Sequence, residues 1–168
     1  MDELAPDLQV LVSALAEALR ARAWRLATAE SCTGGLIAAA CTAVAGSSDW
    51  FECGVVSYAN EAKTDLLGVP AHLIAQQGAV SEAVARAMAA GMLQRSQAHR
   101  AVAVTGIAGP GGAVPGKPVG TVWLAVASRD RVAADIDVQP RLLHLSGDRA
   151  AVRAQTVRQA LQAVIASL

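Results

Sequence analysis

Thr28-Ala29-Glu30-Ser31-Cys32-Thr33-Gly34-Gly35 joins an extended stretch to an Ala-rich helical pattern through a turn crowded with hydroxyls. A serine on a strand-to-helix turn lies near the first unpaired amides of the helix, where the positive end of the dipole favours negative charge. Ser31 is therefore a candidate nucleophile or anion contact, with the thiol of Cys32 beside it. Gly34 and Gly35 let a ligand or neighbouring backbone approach, since neither carries a Cβ. The same residues also read as an ordinary helix cap, with Ser31 or Thr33 bonding the first free amides.

Outward from this turn the chain alternates between helical and extended patterns. Upstream, Leu8, Leu11, Leu15, Ala18 and Leu19 recur at helical spacing within residues 4–22, and residues 24–29 read as a short strand. Downstream, the pattern predicts a helix over about 34–45, a strand over 54–58 and a short helix from Asn60 through Leu67. Pro70 suits the first turn of another short helix closing near Gly78, and Ser81-Glu82 opens a longer one through Arg95. Residues 101–105 form a β-branched strand running into a Gly/Pro loop over 106–118, followed by strands over 119–128 and 141–145. Gly147-Asp148 starts a terminal helix with Val152, Val157, Leu161 and Val164 on one face. Helices interleaved with near-continuous apolar strands predict one α/β domain over residues 1–168. Its expected form is a three-layer αβα sandwich, with a sheet of about five to six strands covered by helices on both faces.

Composition narrows the functional classes. Fourteen basic and fourteen acidic residues cancel, giving no long-range attraction to nucleic acid or an anionic membrane and favouring a small partner. The amino-terminal Asp2 and Glu3 lack the basic and apolar regions of a signal peptide, and no apolar run is long enough to span a bilayer. Cys32, Cys41 and Cys53 form no CxxC pair, which fits reduced thiols in a cytoplasm.

Two motifs invite over-reading. Residues 111–118 match the spacing of a phosphate-binding P-loop up to the last position, where Pro118 supplies no hydroxyl for magnesium and a strand pattern follows. The loop glycines still offer amides for an anion nest, or simply a surface connection. His72, His99 and His144 are scattered and show no metal-ligand spacing, so no metal is expected, and no GxGxxG sits between a strand and a helix, so no dinucleotide cofactor is expected. A serine nucleophile needs a base, and Lys63 follows Tyr58-Ala59-Asn60-Glu61-Ala62 at the start of a helix, where strand end and helix start can face one pocket. Lysine acts as a base only when burial or nearby positive charge lowers its pKa. A solvated lysine and a packed tyrosine are the plainer reading of the same pattern.

TAESCTGG at 28–35, GSSDWF at 46–51, GVVSYANEAK at 54–63, LGV at 67–69, GAVSE at 78–82, TGIAGPGG at 105–112, KPVGTVW at 117–123 and SGDR at 146–149 closely resemble the CinA C-terminal domain family over nearly the whole chain. The chain looks like the family's stand-alone form, without the molybdopterin-binding-like domain of full-length members. The resemblance implies hydrolysis of the carboxamide of nicotinamide mononucleotide to nicotinate mononucleotide and ammonia. It implies Ser31 as nucleophile and Lys63 as general base, with Tyr58 and Ser48 as supporting groups. Glu30, Cys32, Thr33, Gly34 and Gly35 are expected at the substrate, the amides of 32–35 being the candidate oxyanion hole. Thr105, Gly106, Ile107, Ala108, Gly109, Gly111 and Gly112, with Arg149, are expected to hold the 5′-phosphate. Arg153 lies one turn beyond Arg149 on the same helix face, and its role stays open. A homodimer is expected. The alternative reading is a non-catalytic nucleotide-binding module in a competence or DNA-damage context.

Overall fold

The computed structural model describes residues 4–131 and 134–168. Its elements are α1 (Pro6–Ala21), β1 (Leu26–Glu30), α2 (Leu36–Thr42), β2 (Phe51–Val56), α3 (Asn60–Leu67), α4 (Ala71–Gln77), α5 (Glu82–Gln94), β3 (Arg100–Gly106), β4 (Thr121–Ser128), β5 (Asp137–His144) and α6 (Arg149–Ala166). The five strands form one mixed sheet in the order β2-β1-β3-β4-β5. β2, β1 and β3 run parallel, and β4 and β5 are antiparallel to their neighbours.

The two-residue period of the strands sorts side chains into two cores. Val102, Val104, Val122, Leu124 and Val126 pack with Leu15 and Leu19 of α1, Ile37 of α2 and Leu161 and Val164 of α6. Ala101, Ala103, Ala125 and Ala127 turn the other way, toward Val84, Met88 and Met92 of α5. Large branched residues fill one layer, while alanines on the opposite face let α5 settle close to the sheet. The expected αβα sandwich is thus the observed one, with α1, α2 and α6 on one face and α3, α4 and α5 on the other.

Three elements differ from the sequence expectation by three residues or more at one end. β2 begins at Phe51 and ends before Tyr58. Gly54, which looked like a strand start, sits inside the strand because a Cβ there would stand 2.6 Å from Thr28 Oγ1. β5 begins at Asp137 and runs through Pro140, which an edge strand tolerates because the missing N–H need not enter a ladder. α2 spans only Leu36–Thr42, since residues 33–35 form a turn.

The topology locates a crevice. The chain leaves β1 for β2 on one side and later returns as β3 on the other, so the carboxyl ends of β1 and β3 diverge, as at ligand sites of open α/β sheets. Ser31 follows β1 there, and the loop after Gly106 follows β3. No described helix is long and apolar enough to cross a membrane.

The α3–α5 crossing is tight at Gly91, where a Cβ would stand 1.9 Å from the Leu67 carbonyl oxygen at the end of α3. Gly91→Ala is expected to cost about 1–3 kcal/mol by overpacking, read as a lower urea midpoint. An unchanged midpoint would show that α3 moves aside freely.

Candidate active site

Hydrogen bonds that continue the sheet beyond its strands fix the floor of the crevice. The Ser31 amide donates to the Val104 carbonyl at 3.1 Å, and the Ser57 amide donates to the Glu30 carbonyl at 2.8 Å. Ser31 and Ser57 therefore stand side by side at the rim. The chain then turns into α3, whose first turn carries Lys63 back toward that rim.

Lys63 is 1% exposed. Its Nζ donates to the carbonyls of Ser57 at 2.8 Å and Tyr58 at 3.1 Å, and lies 3.2 Å from Ser31 Oγ. None of the ion pairs among the described residues involves it. Burial pushes the amine below the usual lysine range, with the neighbouring Cys32 a smaller opposing influence. A neutral amine has two N–H donors and one lone pair. With its proton Nζ donates to all three oxygens, Ser31 Oγ included; without it, two carbonyls would take the two donors and the lone pair would be left for the Ser31 hydroxyl. Ser57 contributes only its backbone oxygen, which side-chain motifs do not reveal.

Glu30 does not reach the crevice as a substrate contact. Its buried carboxylate accepts from Thr33 Oγ1 at 2.6 Å, Thr28 Oγ1 at 3.4 Å, and the amides of Gly35 at 3.0 Å, Ile37 at 3.0 Å and Ala38 at 2.8 Å. The start of α2 therefore serves an internal anion, correcting the expectation that it faces the substrate. Thr33 is fully buried. The Gly34 amide returns to the Ser31 carbonyl at 3.0 Å, so Gly34 and Gly35 are both withdrawn as oxyanion donors. The amides of Cys32 and Thr33 have no oxygen acceptor among the described residues and lie against the Cys32 sulfur, whose anion they favour. Burial nevertheless pushes the Cys32 thiol up to about 11, keeping it protonated near neutrality.

The far wall is the loop after β3. Ile107, Ala108 and Gly109 are buried, whereas Gly111 and Gly112 are exposed. The amides of Ala108, Gly109, Gly111 and Gly112 make no hydrogen bond among the described residues. Thr105 is a correction: its hydroxyl donates to the Ala79 carbonyl at 2.9 Å and ties β3 to the segment before α5. Gly106 completes β3 against β4, where it pairs with Val122.

Arg149, in the first turn of α6, spans the mouth. It donates to the Gly109 carbonyl at 2.9 Å and to the hydroxyl of Tyr58, the chain's single tyrosine, at 2.9 Å. Tyr58 thus touches Lys63 through its carbonyl and Arg149 through its phenol. Arg153 donates to the Thr33 carbonyl at 2.9 Å, which fixes the turn after Ser31. Its Nε is buried without a partner.

Ser48 falls elsewhere. It lies on the short helical turn Ser47–Asp49 before β2, whose first residue pairs with Leu26 at the start of β1. Ser31 follows the other end of β1, so the strand's length, roughly 15 Å or more at about 3.3 Å per residue, separates the two. Within one chain Ser48 does not join Ser31 and Lys63. The described residues contain no group of three or more His, Cys, Asp or Glu side chains able to hold a metal ion.

The family model for the CinA C-terminal domain matches residues 8–168. The nicotinamide-nucleotide amidohydrolase PncC of Pseudomonas putida is 49% identical over 158 residues, covering 94% of this chain and 95% of the relative. The protein of the same name from Escherichia coli K12 is 48% identical, covering 93% and 92%. A CinA-like protein of Mycolicibacterium gilvum is 58% identical over 136 residues, 81% of this chain but 31% of the relative, so the chain spans about a third of such longer proteins. The crystal structure of the competence/damage inducible protein CihA from Agrobacterium tumefaciens superposes with a TM-score of 0.92 at 43% identity, covering 99% of this chain and 98% of that one. With the model matched from the first helix to the last residue, this chain belongs to the CinA C-terminal domain family.

Proposed function

We propose that this protein hydrolyses the carboxamide of nicotinamide mononucleotide, releasing nicotinate mononucleotide and ammonia. The carrying observation is the buried Lys63 amine, held by two carbonyls and 3.2 Å from Ser31 Oγ. Relatives that share nearly the whole chain carry the amidohydrolase name, and they support the same reading.

Ser31 Oγ attacks the carboxamide carbon while its proton passes to the lone pair of Lys63 Nζ. The carbonyl oxygen becomes an oxyanion beside the turn after Ser31, where the Cys32 and Thr33 amides have no oxygen acceptor. Collapse breaks the C–N bond as the Lys63 ammonium returns its proton to the departing nitrogen, giving ammonia and a Ser31 ester. A water deprotonated by Lys63 then cleaves the ester. The 5′-phosphate sits against the loop amides of 108–112 and the N–H groups that Arg149 keeps beyond its two protein contacts. The functional unit is a homodimer acting in the cytoplasm on this small substrate, without nucleic acid. Ammonia release from nicotinamide mononucleotide separates this reading from a nucleotide-binding module without turnover.

Ser31→Ala is expected to lose nearly all ammonia release while retaining substrate binding, and Cys32→Ala to be much milder. Lys63→Arg should be nearly as damaging as Lys63→Ala, because a guanidinium accepts no proton at working pH. A fully active Lys63→Arg enzyme would contradict the proposed base.

Burial of Lys63 also predicts a pH dependence of stability. Between its lowered folded pKa and the ordinary value of 10.5, the unfolded chain binds more protons, so stability rises with pH across that window. Wild-type stability relative to Lys63→Met should therefore increase as the pH rises toward the ordinary value of 10.5 in urea titrations. A constant difference would mean that Lys63 keeps its proton in the folded protein.

Arg149→Ala should cost about 1.5–3 kcal/mol in kcat/KM on the mononucleotide and far less on nicotinamide riboside. Equal impairment on both would return Arg149 to a purely structural role.

A further inference from the structure

The Glu30 carboxylate lies one residue before Ser31, is 1% exposed, and accepts hydrogen bonds from five donors. Three are amides at the start of α2 and two are threonine hydroxyls, one on β1 and one on the turn itself. An ordinary cap satisfies one or two amides of a helix. Here a single side chain gathers three of them and draws Thr33 inward on its shortest contact, 2.6 Å. With Gly34 bonded back to Ser31 and Gly35 taken by Glu30, only the amides of Cys32 and Thr33 remain without an oxygen acceptor in the turn. From the other side, Arg153 clamps the Thr33 carbonyl.

We propose that Glu30 is a positioning residue for Ser31: by saturating the start of α2 and anchoring Thr33, it fixes the turn that holds Ser31 Oγ 3.2 Å from Lys63 Nζ and leaves the Cys32 and Thr33 amides as the turn's donors without an oxygen acceptor when an oxyanion forms at Ser31. This deepens the amidohydrolase reading and rests on it for the identity of the oxyanion. It also explains why the dipole at the start of α2 is not the source of anion stabilisation, since that end already holds a carboxylate. Glu30 touches neither substrate nor leaving group in this arrangement. Its effect on the reaction passes through Thr33 and the turn.

The test separates positioning from folding with a probe that does not depend on the natural substrate. Phenylmethylsulfonyl fluoride forms an Oγ–S bond with a reactive serine, with loss of fluoride and transfer of the serine proton to the base. Labelling of Ser31 is followed by peptide mass, giving a final stoichiometry and a rate constant per site, with Ser31→Ala as the blank. In the full chain, Thr33→Val and Glu30→Gln should reach the wild-type stoichiometry at least about tenfold more slowly, and Thr33→Ser, which keeps the hydroxyl, should recover the wild-type rate. kcat on nicotinamide mononucleotide should fall in parallel, with KM little changed. Reduced stoichiometry with an unchanged per-site rate would make Glu30 a folding residue only and overturn the proposal. So would wild-type rates in both variants, Thr33→Ser remaining as slow as Thr33→Val, or wild-type protein that does not label. A wild-type protein that labels at Ser31 but releases no ammonia would sink the amidohydrolase reading alone, and the rate comparison would still decide the role of Glu30.

Discussion

The site depends on an amine buried without a counter-ion. Lys63 has no ion-pair partner among the described residues, and the groups that satisfy it are two backbone carbonyls and one hydroxyl. A carboxylate in their place would hold the proton on the amine and remove its basicity. Carbonyls instead accept N–H bonds from either form while leaving burial free to favour the neutral one. The fold supplies them at the point where β2 has ended and α3 has not begun, so their backbone oxygens are still uncommitted.

A division of charges around Ser31 accompanies this choice. The carboxylate nearest in sequence, on Glu30, is locked under the start of α2, and burial holds the thiols of Cys32 and Cys41 protonated, with Glu30 a smaller influence in the same direction. The positive groups, Arg149 and Arg153, approach from α6 on the outer side and hold carbonyls of the loop and of the turn. Hydroxyl chemistry is therefore favoured over thiol chemistry even though serine and cysteine are adjacent. A lysine can activate the first, whereas the second is held protonated where it lies.

Much of this arrangement is legible in the sequence. The strand-turn-helix at residues 28–35 marked a candidate nucleophile or anion site, the apolar alternation gave the layered sandwich, and the short spacing from Tyr58 to Lys63 let strand end and helix start face one pocket, while the pairing of that amine with Ser31 came from the family resemblance. What escaped the reading has physical causes. The strand expected over 141–145 begins at Asp137 because an edge strand tolerates Pro140, and Gly54, expected as a strand start, fills a close contact within a strand. Glu30 and Thr105 have the look of site residues because polar side chains beside a turn usually face ligand, but Glu30 caps a helix and Thr105 ties a strand to a neighbouring loop. Ser48 lies at the opposite end of the parallel strands, a separation that only register reveals. Backbone acceptors such as Ser57 O carry no side-chain signature at all.

The central claim, that Lys63 is a neutral amine poised on Ser31, is open to direct observation because the chain contains only two lysines, Lys63 and Lys117. With lysine labelled at the ε-carbon, NMR titration gives two curves, and Lys117→Arg assigns them. The account predicts that Lys63 titrates below the ordinary value of 10.5 and shifts when Ser31 is replaced by alanine. A Lys63 curve at or above that ordinary value, unaffected by Ser31→Ala, would contradict it.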